Sequence, residues 1–284
     1  MSSGPSLPAS QADPLLSSFT SFLTIAIHSL LFHRELYPPA SFLTTRAYNL
    51  PVHQSRHPLV CAWVADAVSA LTPHLARGAL SRIALVVHGP PTTTTSSNSN
   101  SNSNSSNSGA ALPVLERWVF DVRDFPVWGA LPKTPTAPPD ADTEGPPDHP
   151  NPYPNPNPDA AALDAAPADT DAVNWADVHE QLRAALGRLA LAGEKAPALP
   201  ADCTFTLALE LRDAADAPIG HPQPWIPSAS NAPAAATGPA APPERTSTVP
   251  VRSVRAGPLF FECWLETTDV QPSRVSQTTD EKPS

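Results

Sequence analysis

Residues 22–38 read FLTIAIHSLLFHRELYP, an apolar run that ends at the first of two consecutive prolines, Pro38 and Pro39. Its apolar residues recur at spacings of three and four, which predicts a helix over residues 14–37 with one wide apolar stripe. The prolines end this helix because a proline inside a helix lacks the backbone N–H and clashes with the preceding turn. The next stretch, ASFLTTRAYNLPV at residues 40–52, is predicted to run extended to a second helix.

Two further helices are predicted from the same periodicity. One covers residues 58–77, since Pro58 suits a first helical turn and Gly78 suits a C-terminal cap. The other covers residues 174–191, with Asn174 as its N-cap.

The strand signals complete the fold class. In one strand Trp118 and Phe120 are predicted to face one side, while Glu116 faces mostly the other. Another strand alternates cleanly, with Phe205 and Leu207 facing inward. Three helices and a mostly antiparallel sheet make an α+β fold. The strands are predicted at residues 83–88, 115–122, 203–211 and 259–266.

Proline and small polar residues are concentrated in a few segments of the chain. The chain has 284 residues, of which 38 are prolines and only 15% are charged. Tracts that bury no apolar surface do not offset the roughly 1–2 kcal/mol of backbone entropy lost per ordered residue, so they are expected to be disordered. One domain over residues 14–266 is therefore predicted, with disordered tails and inserts at residues 1–13, 91–111, 129–170, 228–247 and 267–284.

Charge and cysteine content exclude several classes of protein. The formal net charge is −10 and no basic stripe is present, so direct binding to nucleic acid is not expected. The cysteines Cys61, Cys203 and Cys263 form no CxxC pair, which favours a reducing, intracellular compartment. Residues 19–32 are apolar but shorter than a membrane span and follow no signal-peptide pattern, so no membrane association is predicted.

The sequence favours a binding module over an enzyme. It contains no GxxxxGK[ST], GxGxxG or GxSxG pattern. His53 and His57 have the spacing of metal ligands, but a turn before a proline-started helix explains them better. Cys61 has no basic neighbour to activate its thiol. No cofactor and no metal are therefore expected.

Five strings, in this order along the chain, resemble the HORMA-domain family: FLTIAIHSLLFHRELYP (22–38), YNLPV (48–52), HP (57–58), CTFTLALELRD (203–213) and PWI (224–226). Within the family they look most like the accessory, non-catalytic subunit of DNA polymerase zeta. VLERWVFDV (114–122) is equally similar to the spindle-checkpoint HORMA protein. The resemblance implies a C-terminal safety belt at about residues 218–266, which in the family wraps over an extended partner peptide that adds a strand to the sheet.

The resemblance also implies which residues contact partners. Trp63 stands where the family has an aromatic residue, usually Tyr, in the peptide pocket, and Trp225 matches a peptide-clamping Trp. Arg183 matches an Arg on the third helix that supports pairing of two HORMA domains. Thr248 and Val249 fall near the surface for a second partner. The structural alternatives are core aromatics for the two tryptophans and a solvated helix face for Arg183.

These correspondences imply an adaptor that clamps a proline-containing peptide of the catalytic subunit of DNA polymerase zeta. They imply that it bridges this subunit to the C-terminal domain of a translesion deoxycytidyl transferase, in translesion synthesis and DNA-damage tolerance. Further implied partners are a remodelling AAA-type ATPase and a second HORMA copy, and the implied location is the nucleus, with the cytoplasm as a second one. The alternative is a spindle assembly checkpoint protein that inhibits the activator of the anaphase-promoting complex.

Overall fold

The computed structural model describes residues 9–91, 112–127, 173–212, 225 and 246–268. Three helices and seven strands lie in these ranges, as α1 Ala9–His33, β1 Phe42–Ala47, β2 Leu50–Ser55, α2 Pro58–Ala76, β3 Leu80–His88, β4 Val114–Asp121, α3 Trp175–Lys195, β5 Thr204–Leu211, β6 Thr246–Ala256 and β7 Leu259–Thr268. Most of the tails and inserts expected to be disordered lie outside the described residues, as does the first part of the expected belt, apart from Trp225.

The first helix differs from the sequence prediction at both ends. It begins at Ala9, so the prediction that residues 9–13 belong to a tail is wrong. Ala12 is fully buried there, which gives this extra turn an apolar contact. The helix ends at His33, before the prolines, because Arg34 enters the core and Glu35 takes a positive φ of 53°.

The stretch after the prolines, predicted to run extended to the next helix, is a β-hairpin of β1 and β2. Its two turn residues, Tyr48 and Asn49, have φ values of 47° and 57°, the left-handed pair that a type I′ turn requires. The Tyr48 hydroxyl donates a hydrogen bond of 3.2 Å to the carbonyl of Ser18, which fastens the hairpin to α1. The turn was missed because Tyr is rarely left-handed.

The other five strands form one antiparallel sheet in the order β5-β3-β4-β7-β6. The predicted α+β class with three helices is confirmed. β6 was not predicted, and it begins at Thr246, inside the segment expected to be an insert up to residue 247. Likewise, β7 extends to Thr268, two residues into the expected C-terminal tail. Within the described ranges, β5 pairs with β3 alone, and the β6–β7 hairpin joins β4 on the side away from β5.

The core lies between the inward face of this sheet and the helices. Phe261 of β7 is fully buried, with its ring centroid 5.1 Å from that of Phe19 and 5.3 Å from that of Phe22, both on α1. Trp118 and Phe120 of β4 are also fully buried. Because burying a Phe side chain stabilises by roughly 1.5–3 kcal/mol, the C-terminal hairpin is a substantial part of the core.

Two helices are long and apolar enough to cross a membrane by length and composition, over Gln11–His33 and Pro58–Ala76. The first of these is longer than the apolar run recognised in the sequence. In the fold, 61% and 50% of these windows are buried inside the domain. Core helices pass the same test, so packing accounts for their apolar character.

Glu116 lies on the same side of β4 as Trp118, contrary to the prediction, because residues two apart on a strand share a face. Its carboxylate accepts hydrogen bonds from Arg34 Nε at 3.0 Å, Arg34 Nη2 at 2.7 Å and Trp118 Nε1 at 3.1 Å. The side chains of Arg34 and Glu116 are each only 4% exposed. The Glu116 carboxylate, which the alternation pattern predicted to face solvent, is therefore paired with Arg34 inside the core.

Arg34 also caps the C-terminal end of α3. Its Nη1 donates to the carbonyls of Gly193 at 2.9 Å and Ala196 at 3.3 Å, and its Nη2 donates to the carbonyl of Pro197. The last carbonyls of a helix have no partner within the helix, so the guanidinium satisfies groups that burial would otherwise penalise. One side chain thus joins the end of α1, β4 and the end of α3.

Replacing Arg34 tests this junction. Arg34→Met should lower the free energy of unfolding by about 3–5 kcal/mol, because Glu116 is left buried without its counter-charge. The double variant with Glu116→Met should lose less than the sum of the single variants. Urea unfolding followed by circular dichroism measures both. Arg183→Met, which removes an exposed pair with Glu180, is the control and should lose less than about 1 kcal/mol. A similarly small loss for Arg34→Met would contradict the assignment.

The buried imidazole of His28 makes stability depend on pH. His28 is 2% exposed on α1, and burial lowers its pKa to about 4. The unfolded chain binds a proton below about pH 6.5, so stability is full above that pH and falls towards pH 4, by up to roughly 3 kcal/mol. His28→Leu should flatten this loss, measured by urea unfolding at about pH 7.5 and about pH 4.5. An equal loss in both proteins would show that another group titrates.

Candidate partner-peptide site

An apolar depression of about 450 Å³ lies beside the edge strand β5. The N-terminal turns of α2 provide most of its wall, because Leu59 and Val60 precede Trp63 by four and three residues and share its side of the helix. Phe205 of β5 and Tyr37, from the loop after α1, complete it. The lining residues are Tyr37, His57, Leu59, Val60, Trp63 and Phe205.

Aromatic contacts fix the shape of this depression. The ring of Phe205 lies edge-on to Trp63, with centroids 5.1 Å apart, and edge-on to Tyr37, at 6.1 Å. Such edge-to-face pairs are favourable and hold their rings in place. Trp63 remains half-buried, so part of its indole faces solvent. The structure thus places Trp63 in an apolar recess rather than deep in the core.

Leu59 is the most exposed large apolar side chain in the described ranges, at 73%. It stands in the first turn of α2, next to the N-cap residue His57. Sequence analysis did not select Leu59, although its position four residues before Trp63 was a usable signal. Phe205 and Tyr37 were also missed as site residues, because only the fold brings them to α2.

The inward face of β5 is incompletely covered. Phe205, Leu209 and Leu211 point inward as the alternation predicted, yet all three are only half-buried. By contrast, Ile83 and Leu85 on the neighbouring strand β3 are fully buried. The outer edge of β5 pairs with no strand of the described chain. An edge with free backbone groups and a partly covered apolar row is suited to receive an added strand.

Trp225 lies on the connection between two opposite edges of the sheet. The chain leaves β5 at Leu211 and enters β6 at Thr246, on the far side of β3, β4 and β7. Trp225 is half-buried and packs against the hydrophobic core. Its indole Nε1 is buried and has no hydrogen-bond acceptor among the described residues. It is not one of the residues that line the depression, so the structure does not bring Trp63 and Trp225 together there.

The other predicted contact residues lie on separate surfaces. Arg183 projects from α3 and donates a hydrogen bond of 3.1 Å to Glu180, with 41% of its side chain exposed. Thr248 and Val249 lie in the exposed first half of the edge strand β6. Their assignments to a HORMA pair and to a second partner stay predictions.

A second, polar cavity of about 620 Å³ lies between the C-terminal ends of α1 and α3 and the loop before β5. The carboxylates of Glu35, Glu194 and Asp202 are among its lining groups. Burial, followed by the negative charge of Glu116, raises the pKa of the Cys203 thiol there. Within the described ranges no group of three His, Cys, Asp or Glu residues is arranged to hold a metal ion.

The two histidines with metal-like spacing are in different surroundings. His53 stacks on Phe32, with ring centroids 3.5 Å apart, and its Nδ1 lies 3.4 Å from the hydroxyl oxygen of Thr44. His57 lines the apolar depression. Burial lowers the pKa of His53, which keeps its ring neutral near pH 7.

Known proteins with this arrangement identify the fold. No protein-family model matches the sequence. The structure matches a chain of the crystal structure of the mitotic checkpoint complex with a TM-score of 0.55, covering 89% of this chain and 97% of that chain at 15% identity. The chain has the fold of a HORMA domain. The HORMA fold expected from the sequence is therefore confirmed, with the β6–β7 hairpin as its C-terminal element.

Two curated proteins similar to this chain are informative. Over 248 residues the chain is 27% identical to the DNA polymerase zeta processivity subunit of Schizosaccharomyces pombe, which covers 87% of this chain and 90% of that protein. Over 66 residues it is 32% identical to the mitotic spindle assembly checkpoint protein MAD2B of Homo sapiens. The second match covers 23% of this chain and 31% of that protein.

Proposed function

We propose that this HORMA protein is an adaptor subunit of DNA polymerase zeta, which holds a proline-containing peptide of the catalytic subunit. The observation that carries the proposal is the similarity to a polymerase zeta processivity subunit along 87% of this chain and 90% of that relative. The match to the protein named for the spindle checkpoint covers 23% of the chain. A shared role is better supported by the similarity that spans both proteins.

The free edge of β5 supports peptide binding. A peptide that adds a strand there hydrogen-bonds through its backbone, and its alternate side chains fall in the row of Phe205, Leu207 and Leu209. The side chain in line with Phe205 then enters the depression against Trp63. A proline in the peptide is compatible with this arrangement where its missing N–H faces away from β5.

The β6–β7 hairpin is the proposed safety belt. The peptide then lies on β5 and the hairpin on the opposite edge of the sheet, and Trp225, between β5 and β6 in the sequence, packs against the core. Releasing the belt withdraws Phe261 and its neighbours from the core, at roughly 1.5–3 kcal/mol for each Phe or Leu side chain. Slow release, assisted by a remodelling AAA-type ATPase, follows from this barrier.

The remaining surfaces serve other partners in this proposal. The exposed edge of β6, with Thr248 and Val249, receives the C-terminal domain of a translesion deoxycytidyl transferase, and the α3 surface around Arg183 pairs with a second HORMA copy. The net charge of −10 disfavours direct contact with DNA, so the protein reaches DNA through these partners. The role is translesion synthesis and damage tolerance, in the nucleus.

Purification of the tagged protein from cells exposed to DNA damage tests the proposed function. We expect mass spectrometry to recover the catalytic subunit of polymerase zeta. Trp63→Ala and Trp225→Ala should each reduce its recovery at least about tenfold, because truncated aromatic anchors typically cost about 2 kcal/mol or more. Leu43→Ala, on the exposed face of β1, is the control and should change nothing.

The same experiment decides the alternative function, which the MAD2B match favours. Recovery of an anaphase-promoting-complex activator without polymerase subunits would replace the proposal by a role in the spindle checkpoint. Circular dichroism of the purified variants establishes that each retains the fold.

The proposed belt can be tested by breaking a hydrogen bond that holds it to the helices. Arg252 Nη2 of β6 donates this bond, of 2.7 Å, to Gln181 Oε1 of α3. Arg252→Met should speed dissociation of a labelled catalytic-subunit peptide about tenfold, because a hydrogen bond from a charged group is worth about 1.5–3 kcal/mol. Arg255→Met on the same strand, which removes a contact with the ring of Phe260, should change the rate less than about twofold. Equal rates for wild type and Arg252→Met would mean that the hairpin does not gate release.

A further inference from the structure

The depression beside β5 contains an apolar side chain that the folded domain leaves without cover. Leu59 is 73% exposed, whereas the adjacent Val60 is buried and Trp63 is half-buried. Among the described residues that line the depression there is no carboxylate, amide, lysine or arginine, and the polar side chains are those of His57 and Tyr37. The recess therefore favours an apolar group and disfavours a charged one, which would be buried there without a partner.

The free edge of β5 fixes what kind of molecule can bring such a group. Backbone donors and acceptors along an edge pair with an extended chain, and such a chain places every second side chain on the inward face. The residue in line with Phe205 then lies between β5 and the first turn of α2, where Leu59 and Trp63 face it. A globular surface does not supply both the backbone pairing and the inserted side chain.

We propose that the partner peptide carries one large aliphatic or aromatic residue that inserts between Leu59, Trp63 and Phe205, and that Leu59 determines this specificity. The inference rests on the proposed function and adds to it the chemistry of the anchor residue. A recess of about 450 Å³ is not filled by alanine or serine, so a small residue leaves Leu59 exposed. A lysine or glutamate at the same position has no opposite charge among the lining residues that the structure describes.

The test uses the whole protein and a defined set of probes. Synthetic peptides of about 15 residues that tile the catalytic subunit of polymerase zeta from the same organism are screened by fluorescence anisotropy. For the best binder, Leu59→Glu should weaken affinity at least about tenfold, and Leu59→Met should stay within about threefold, because methionine keeps the volume and the apolar surface. Leu59 is largely solvent-exposed, so both variants should fold.

Leu43→Glu is the matched control, because Leu43 is also an exposed leucine, at 45%, but lies on β1 away from the depression. It should leave affinity unchanged. On the peptide side, each apolar residue of the binder is replaced in turn by lysine. At one position of the peptide, the lysine substitution should abolish binding to the wild-type protein. The Leu59→Glu protein should bind that lysine peptide at least in part, because the new carboxylate faces the new ammonium group.

The outcomes separate this inference from the proposed function. If peptides bind the wild type and Leu59→Glu binds equally well, Leu59 has no role and only the inference fails. If Leu59→Glu weakens binding but restores the binding of none of the lysine-substituted peptides, the anchor residue does not face Leu59. The inference is then also overturned. If no peptide of the set binds the folded wild type, the proposed function fails and the inference fails with it.

Discussion

The guanidinium of Arg34 joins three parts of the chain by hydrogen bonds, namely the end of α1, β4 and the end of α3. All five N–H donors of an arginine are used here, on the Glu116 carboxylate and on the carbonyls of Gly193, Ala196 and Pro197. Because Pro197 opens the loop that enters β5, the same side chain also sets where the edge strand begins. Lysine has three donors on one nitrogen and could not replace this planar fork. The candidate partner-peptide site beside β5 therefore depends on a buried ion pair that is not among the residues lining it.

Sequence periodicity predicted the elements whose pattern is local. The bounds of α2 and α3 agree closely with prediction, and the Asn174 side chain accepts a hydrogen bond from the Asp177 backbone N–H, as expected of an N-cap. Glu116 was misplaced because an alternation pattern assigns a charged residue to solvent unless its partner is known. That partner, Arg34, lies 82 residues away in the chain. The β1–β2 hairpin was missed for a different reason, since Tyr rarely takes the left-handed conformation that Tyr48 adopts in the turn.

The candidate site was only partly predictable. Trp63 was selected through the resemblance, and the structure places it in the depression as one wall. Leu59 could be recognised in the sequence by its position four residues before Trp63, but its exposure, which makes it informative, becomes apparent only in the fold. Phe205 was assigned to the inward row of its strand, where a residue is normally buried. Only the position of β5 at the sheet edge turns that core residue into part of a surface.

The contact of Phe261 with Phe19 and Phe22 bears on how the protein is made. The first helix of the domain and its last strand close the same core, so these contacts have a very large sequence separation. On the ribosome, at roughly 5–20 residues per second, the apolar stripe of α1 emerges on the order of tens of seconds before its final partner. During that interval the aromatic side chains of α1 lack the contact with Phe261 that covers them in the folded domain. Completion of this core therefore waits until β7, the last described strand, has been made.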